Sequence, residues 1–183
     1  MNTNGSKMIK ELEAILKNRI MVIVTLSFDG TGDVHDYVRW PIKWKKYIKS
    51  VQAYKKLQKQ FPLLKLNFWT TVSCLNVANM PNILDYARDK EVPVVYAGSS
   101  SFHHGLYKSP YAWSKWSGEE LCKLYSNVYN LKTSICRFYN VYGPHQLDEG
   151  DYSTVIGIFQ RKYNAKEPLT ITGDGQQRRD FTH

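Results

Sequence analysis

Apolar residues along the chain follow two spacings, one typical of strands and one typical of helices. The run RIMVIVTLSF is short, β-branched and continuously apolar, which predicts a strand buried on both faces. Further strands are predicted in LLKLNFWTTVS, in VPVVYAGSSS and in LKTSICRFYNVYG. Each is bounded by glycine, proline or polar residues, so the chain carries at least four predicted strands.

Helical spacing occupies the segments between these strands. Helices are predicted over residues 6–17, with Ser6 as the N-cap, and in KWKKYIKSVQAYKKLQKQ, NMPNILDYARDK, SPYAWSKWSGEELCKLYSNVYN and DYSTVIGIFQRKYNA. Strands that alternate with helices of these lengths predict an α/β fold with a parallel sheet.

Composition narrows the class of protein. The chain has 183 residues, 43% of them hydrophobic, which suits one domain or two very small ones. It lacks the run of about 18 apolar residues that a membrane span needs, and its first residues lack the apolar core of a signal peptide. Three scattered cysteines favour neither a disulfide framework nor a zinc site. We therefore expect a reduced, cytoplasmic protein with no membrane partner.

The net charge of +9 is concentrated in one half of the chain. Residues 1–90 hold 15 Lys and Arg against 7 Asp and Glu, whereas residues 91–183 hold 10 against 9. Most of the excess lies in the lysine-rich helix, whose apolar face is formed at helical spacing by Trp44, Tyr47, Ile48, Val51, Tyr54 and Leu57. This pattern is typical of a solvated helix, so we expect no nucleic-acid partner.

The stretch GSSSFHHGLYKSPYAWSK combines three residue types suited to proton transfer. Ser99 to Ser101 follow a predicted strand, at the edge where parallel sheets bind ligands. Tyr111 and Lys115 are four residues apart, so both lie on one face of the next helix. A lysine cation favours the tyrosine phenolate, and a serine hydroxyl can share the proton. By itself, however, Tyr-x-x-x-Lys also occurs by chance on many helices.

Four motifs in order carry a family resemblance over residues 92–183. Together they resemble the extended short-chain dehydrogenases/reductases, and more narrowly the NAD-dependent nucleotide-sugar epimerase/dehydratase group that includes UDP-glucose 4-epimerase. The resemblance implies a partial Rossmann-like parallel sheet with flanking helices, an NAD cofactor and a nucleotide-sugar substrate, although the sequence does not distinguish NAD from NADP. The motifs are VVYAGSSS, SPYAWSKWSGEELCKLY, TSICRFYNVYGP and LTITGDGQQRRDFTH.

The resemblance also assigns roles to individual residues. It implies that Tyr111 is the catalytic acid and base, and that Lys115 binds the nicotinamide ribose and lowers the tyrosine pKa. Ser100 matches the hydroxyl that assists proton transfer at the sugar. Asn140 matches an asparagine that contacts the substrate phosphates, and Arg179 matches the arginine that clamps the diphosphate.

Several parts of the family pattern are missing. The family begins with a strand and a Gly-x-x-Gly-x-x-Gly turn that takes the cofactor pyrophosphate, but here DGTGD offers one Gly-x-Gly flanked by aspartates. His103-His104 replace the usual Val-Tyr, which leaves the identity of the sugar open. We expect these two histidines to be surface residues and not metal ligands. The family continues beyond RRDFTH. We therefore expect a fragment cut at both ends that turns over weakly or not at all.

The first half carries a second resemblance. Residues 20–88 resemble a twitch-domain or sulfatase-maturase radical SAM protein, through Ser27, Asp29, His35, Asp36 and Arg39. The cysteines for an iron–sulfur cluster are absent, so no cluster is expected. The alternative is a polar turn after a buried strand.

A seam between the two resemblances is predicted near the helix Asn76–Lys90, which suits both. We expect an α/β fragment over 1–88 and an epimerase-like fragment over 89–183, joined as a chimera. Besides the epimerase or dehydratase activity, two hypotheses stay open. One is a non-catalytic protein that docks on an intact epimerase, or on a second copy of itself, through the helix 111–127. The other is a remnant of a radical SAM enzyme.

Overall fold

A computed structural model describes residues 1–150 and 153–183. The chain divides into two units, residues 1–137 and residues 138–183, and each is described by itself below. The first unit contains most of the predicted strands and helices. The predicted boundary between residues 88 and 89 lies within this unit, in the last turn of the helix Met80–Asp89.

The elements of the sheet follow the predicted alternation. They are β1 (Asn2–Thr3), α1 (Leu12–Lys17), β2 (Val22–Ser27), α2 (Gly32–Val38), α3 (Trp44–Gln60), β3 (Leu64–Thr71), α4 (Met80–Asp89), β4 (Val94–Ser99), α5 (Pro110–Tyr129) and β5 (Thr133–Phe138), with short 3₁₀ turns at Val77–Asn79, Ser100–His104 and Leu106–Lys108.

The five strands form one parallel sheet in the order β1-β2-β3-β4-β5, so every strand lies beside its neighbour in sequence. The sheet runs without interruption across the predicted seam, because β3 pairs with β4 from Phe68↔Val94 to Thr71↔Ala97. This parallel sheet with flanking helices confirms the predicted fold class.

One face of the sheet is buried much more deeply than the other. Right-handed crossovers that always step in the same direction place their helices on a single face. Val22, Val24 and Leu26 of β2 are buried accordingly, whereas Ile23 between them is 44% exposed. The prediction that β2 is buried on both faces was therefore wrong, since apolar character alone does not reveal the direction of the crossovers.

Helix α3 packs its apolar face on the buried side of the sheet. Tyr47, Val51, Tyr54 and Leu57 are buried as predicted, while Trp44 and Ile48 are partly buried. An aromatic cluster forms around Phe28, whose ring centre lies 5.6 Å from that of Tyr47. The lysine-rich helix is thus anchored through one face and solvated on the other.

Two local predictions differ from the structure. Helix α1 begins at Leu12 and not at residue 6, because the Tyr54 hydroxyl accepts from the Ile9 amide at 3.1 Å and donates to the Lys7 carbonyl. Ser6 donates its amide to the Asn4 side chain instead of capping a helix. Helix α2, which directly follows the DGTG turn, was not predicted at all, since seven residues carry little helical periodicity.

The second unit consists of a short parallel bridge and one helix. Val141 pairs with Thr182, and α6 spans Val155–Asn164 with Thr154 as its N-cap. The first residues of the helix predicted in DYSTVIGIFQRKYNA, 151 and 152, lie outside the described residues. Among the residues that the structure describes, no helix has the length and apolar character needed to cross a membrane.

Candidate functional site

The start of α5 fixes the position of Tyr111. Pro110 occupies the first helical position, and the Ser109 hydroxyl accepts from the backbone amides of Tyr111 and Ala112 at 3.2 and 3.4 Å. This cap holds Tyr111 in the first turn, where its side chain is 50% exposed. Tyr111 therefore combines a fixed backbone position with an accessible phenol.

Lys115 lies one turn further along α5 and is almost fully buried, with 5% exposure. Its Nζ donates to the Ala97 carbonyl at the end of β4 at 2.9 Å. The same Nζ lies 5.8 Å from the centre of the Tyr111 ring and 6.0 Å from that of Tyr96. The structure therefore brings the predicted tyrosine and lysine together at the carboxyl end of β4.

Ser100 begins the 3₁₀ turn that directly follows β4, and this turn packs against α5. The structure thus places Ser100 at the same end of the sheet as Tyr111 and Lys115. The side chain of His104, in the same turn, lies outside the described residues. His103 is exposed, as the prediction of a surface residue expects.

Two charged residues of this site escaped the sequence analysis. Glu119, four residues after Lys115, is 1% exposed and accepts from the Arg137 guanidinium on β5 at 2.6 and 3.0 Å. A Cβ on Gly98 would lie 2.5 Å from the Glu119 carboxylate, so a glycine at the end of β4 makes room for the pair. The sequence did offer one signal for Glu119, because it lies four positions after Lys115 and therefore on the same face of the helix.

Burial and charge act in opposite directions on Lys115. Desolvation lowers the pKa of its ammonium, and the Asp29 and Glu119 carboxylates oppose that change. Asp29 follows β2, so the influence reaches Lys115 from another strand. It is 7% exposed and accepts from the Thr71 amide at 2.7 Å and from Arg39 at 3.1 Å. Burial raises the Asp29 pKa, while these two bonds lower it.

The turn after β2 is closed by side-chain amides. Asn76 donates to the carbonyls of Asp29 and Thr71 at 2.7 and 3.0 Å. Asn79 accepts from the Thr31 amide at 2.7 Å, immediately before α2. The backbone donor that begins this helix is therefore already paired within the chain.

The other residues of the radical SAM resemblance have structural contacts. His35 is completely buried beside the rings of Trp44 and Tyr47, and burial lowers its pKa. Asp36 accepts from the Trp44 amide at 2.5 Å and pairs with Lys43. Ser27 is the last residue of β2. Each of these contacts fastens β2, α2 or α3 in place.

Asn140 and Arg179 both lie in the second unit. The Asn140 side chain donates to the carbonyl of Asp180, next to Arg179, at 2.8 Å. The Tyr142 amide donates to the Thr182 carbonyl at 2.9 Å, which extends the same contact. Arg179 also lines a cavity of about 520 Å³ in that unit, together with Phe159 of α6. The two predicted phosphate-binding residues are thus close to one another.

Comparisons with known proteins agree on one family. The family described as "NAD dependent epimerase/dehydratase family" matches residues 70–183. An uncharacterized UDP-glucose epimerase, YtcB, of Bacillus subtilis is 31% identical over 120 residues, which cover 59% of this chain and 37% of that protein. A putative UDP-glucose 4-epimerase of Methanocaldococcus jannaschii is 35% identical over 123 residues, or 60% of this chain and 40% of that protein. The chain thus spans about two fifths of the length of these relatives.

The likeness in fold extends over the whole chain. The crystal structure of UDP-glucose 4-epimerase from Thermotoga maritima superposes with a TM-score of 0.55 at 20% identity, covering 99% of this chain and 69% of that one. The first 69 residues, outside the family match, therefore share the fold. Nothing in the comparisons supports the radical SAM resemblance or the chimera that rests on it. The motif order, the buried lysine beside its tyrosine and a match over well over half of its residues place this chain in the NAD dependent epimerase/dehydratase family.

Proposed function

We propose that this chain carries the catalytic segment of a nucleotide-sugar epimerase or dehydratase. The observation that carries the proposal is the pairing of a half-exposed Tyr111 with a buried Lys115, which is held on the Ala97 carbonyl. The names of the relatives, which include a putative UDP-glucose 4-epimerase, support a nucleotide-sugar substrate.

In this proposal Tyr111 exchanges a proton with a sugar hydroxyl. Its phenol is half-exposed, and its ring centre lies 5.8 Å from Nζ of the buried Lys115. Ser100 follows β4 at the same end of the sheet, and its hydroxyl would share the proton during transfer. NAD, when bound, would supply the hydride acceptor at the sugar carbon.

The residues fit one part of such a cofactor. An ammonium has three N–H donors, and within the part of the chain that the structure describes Lys115 Nζ donates one hydrogen bond, to the Ala97 carbonyl. Further donors are therefore proposed for the nicotinamide ribose. The turn after β2 does not fit a pyrophosphate, since the Thr31 amide is paired with Asn79 and the Asp29 carboxylate lies beside it.

The substrate contacts and the partner are proposed separately. We assign Asn140 and Arg179 to the phosphates of the substrate, which their proximity in the second unit supports. We assign a second copy of the chain to α5, whose residues Trp113, Leu124 and Val128 are 44 to 60% exposed on its outer side. In this proposal residues 89–183 form the segment that holds the catalytic motifs.

Replacement of one hydroxyl tests the function. Tyr111→Phe should lower turnover by about 10²–10⁴-fold, the contribution of a general acid or base, without change in thermal unfolding. The measurement is proton NMR of UDP-glucose incubated with NAD and the wild-type or variant chain. Tyr107→Phe, at a neighbouring tyrosine that is 87% exposed, is the matched control. Equal turnover by Tyr111→Phe and Tyr107→Phe would contradict the proposal.

A further inference from the structure

Five charged side chains of alternating sign lie along the carboxyl edge of the sheet. Arg39 pairs with Asp29 at 3.1 Å at one end. Glu119 pairs with Arg137 at 2.6 Å at the other. Lys115 Nζ is held on Ala97 of β4, between β3, whose Thr71 binds Asp29, and β5, which carries Arg137.

The pairing of the strands sets the distance between Asp29 and Lys115. The Thr71 amide donates to Asp29 Oδ1 at 2.7 Å, and Thr71 is paired with Ala97 across β3 and β4. The Ala97 carbonyl in turn accepts from Lys115. Since paired strands lie about 4.8 Å apart, the carboxylate and the ammonium are held at neighbouring positions of the sheet. Both are shielded from water, which strengthens their interaction.

We propose that Asp29 is a positioning residue that keeps Lys115 in its charged, hydrogen-bond-donating form, a role that rests on the proposed function of Lys115. The residue lies outside the segment that matches the family, which begins at residue 70. The first half of the chain thereby contributes a charge to the catalytic centre.

The other groups that face Lys115 do not replace Asp29. Among the described side chains these are the Glu119 carboxylate and the Tyr111 ring from α5, and the Tyr96 ring from β4. Glu119 is paired with Arg137 of β5, on one side of β4, whereas Asp29 is held by Thr71 of β3, on the other side, so Glu119 does not occupy the position of Asp29. A buried amine that loses one of two nearby carboxylates releases its proton more readily.

Titration of Lys115 tests the proposal without cofactor or substrate. Protein labelled with ¹³C at lysine Cε is titrated by NMR, and the Lys115 signal is assigned from Lys115→Arg. Asp29→Asn should lower the Lys115 pKa. Asp33→Asn, the same change at an exposed aspartate in the next turn, should leave it unaltered. An unaltered Lys115 pKa in folded Asp29→Asn would overturn the proposal.

The reverse titration covers the case in which Asp29→Asn does not fold. Coupling between two titrating groups is reciprocal, so Lys115→Met should raise the Asp29 pKa, read from ¹³C-labelled carboxyl groups. An Asp29 pKa equal to that of the wild type would refute the coupling. Tyr111→Phe leaves both charges in place, so the failure of turnover and the failure of this coupling are separate results.

Discussion

The turns that follow β4 and β2 lie at the same edge of the sheet, and they are built differently. After β4 the chain leads into a long helix whose first turn presents a half-exposed tyrosine. After β2 it leads into a seven-residue helix, and the side chains of Asn76 and Asn79 form hydrogen bonds with backbone groups of the turn. The first turn is open to a ligand, whereas the second is closed on itself.

The difference shows that the same edge of a parallel sheet can serve two purposes. The β4 turn carries the residues that contact substrate in the proposed function. The β2 turn carries Asp29, whose bonds all run inward, to Thr71, Arg39 and the side chain of Asn76. In the proposal the β2 turn supports the charge of Lys115 through Asp29, and it does not resemble a phosphate-binding turn.

Removal of Asn76 should produce the largest loss of stability. Its side chain accepts from the Ser73 amide at 2.7 Å and donates to the carbonyls of Asp29 and Thr71. Asn76→Ala leaves these buried groups unpaired, and we expect the free energy of unfolding in urea to fall by about 2–4 kcal/mol. Asn82→Ala, at an exposed site on α4, is the control. Equal effects would show that the β2 turn is not closed by Asn76.

Crowding the contact between α5 and β4 should lower the free energy of unfolding by a smaller amount. A Cβ on Gly118 would overlap the hydroxyl of Tyr96, which donates to the Lys115 carbonyl at 2.9 Å. Gly118→Ala should lower the free energy of unfolding by about 1–3 kcal/mol through overpacking, despite the higher helix propensity of alanine. Asn127→Ala, exposed on the same helix, should be neutral or stabilising. A more stable Gly118→Ala would contradict the packing of α5 on β4.

Acid should lower the stability of the fold through His35, which lies in the helix after β2. Its folded pKa is lowered by burial, so the unfolded chain binds its proton first. Stability is therefore full above about pH 6.5, the unfolded pKa, and falls as the pH drops below that value. Between pH 7.5 and 5.5 we expect a loss of about 1 kcal/mol that His35→Phe removes. His145→Gln, at an exposed histidine, should retain the loss; the reverse pattern would exclude His35.

The smallest expected effect concerns the cap of α5. Ser109→Ala removes the acceptor for two backbone amides, and thermal unfolding should report a loss of about 1 kcal/mol. Ser126→Ala within the same helix is the matched change and should cost nothing. If both variants unfolded like the wild type, the first turn holding Tyr111 would not depend on its cap.

Local patterns in the sequence correctly predicted those features of the fold that depend on residues close together in the chain. The order of strands and helices, the buried face of α3 and the shared face of Tyr111 and Lys115 follow from periodicity. Helix α2 was missed because it is short, and the exposed face of β2 because crossover direction is not local. The sequence pattern placed Asp29 after a strand, but only the pairing of β2, β3 and β4 brings it to Lys115.

The pairing of Glu119 with Arg137 was hidden for a related reason. The two residues lie 18 positions apart, and their contact requires α5 to return antiparallel along the sheet before β5 begins. The resemblance named the residues that touch substrate in the family and gave no account of the charges behind them. Contacts of that kind depend on tertiary packing, which no single motif encodes.

The alternating signs of the edge charges have a consequence for how an anion would arrive. Three cations and two anions in a row leave a small net charge, so their separate fields largely cancel beyond a few ångströms. Salt, which screens fields over about 8–10 Å, has little long-range attraction to remove. These five charges therefore act on a bound molecule mainly through short-range contacts, and they add little to the long-range attraction of charged molecules.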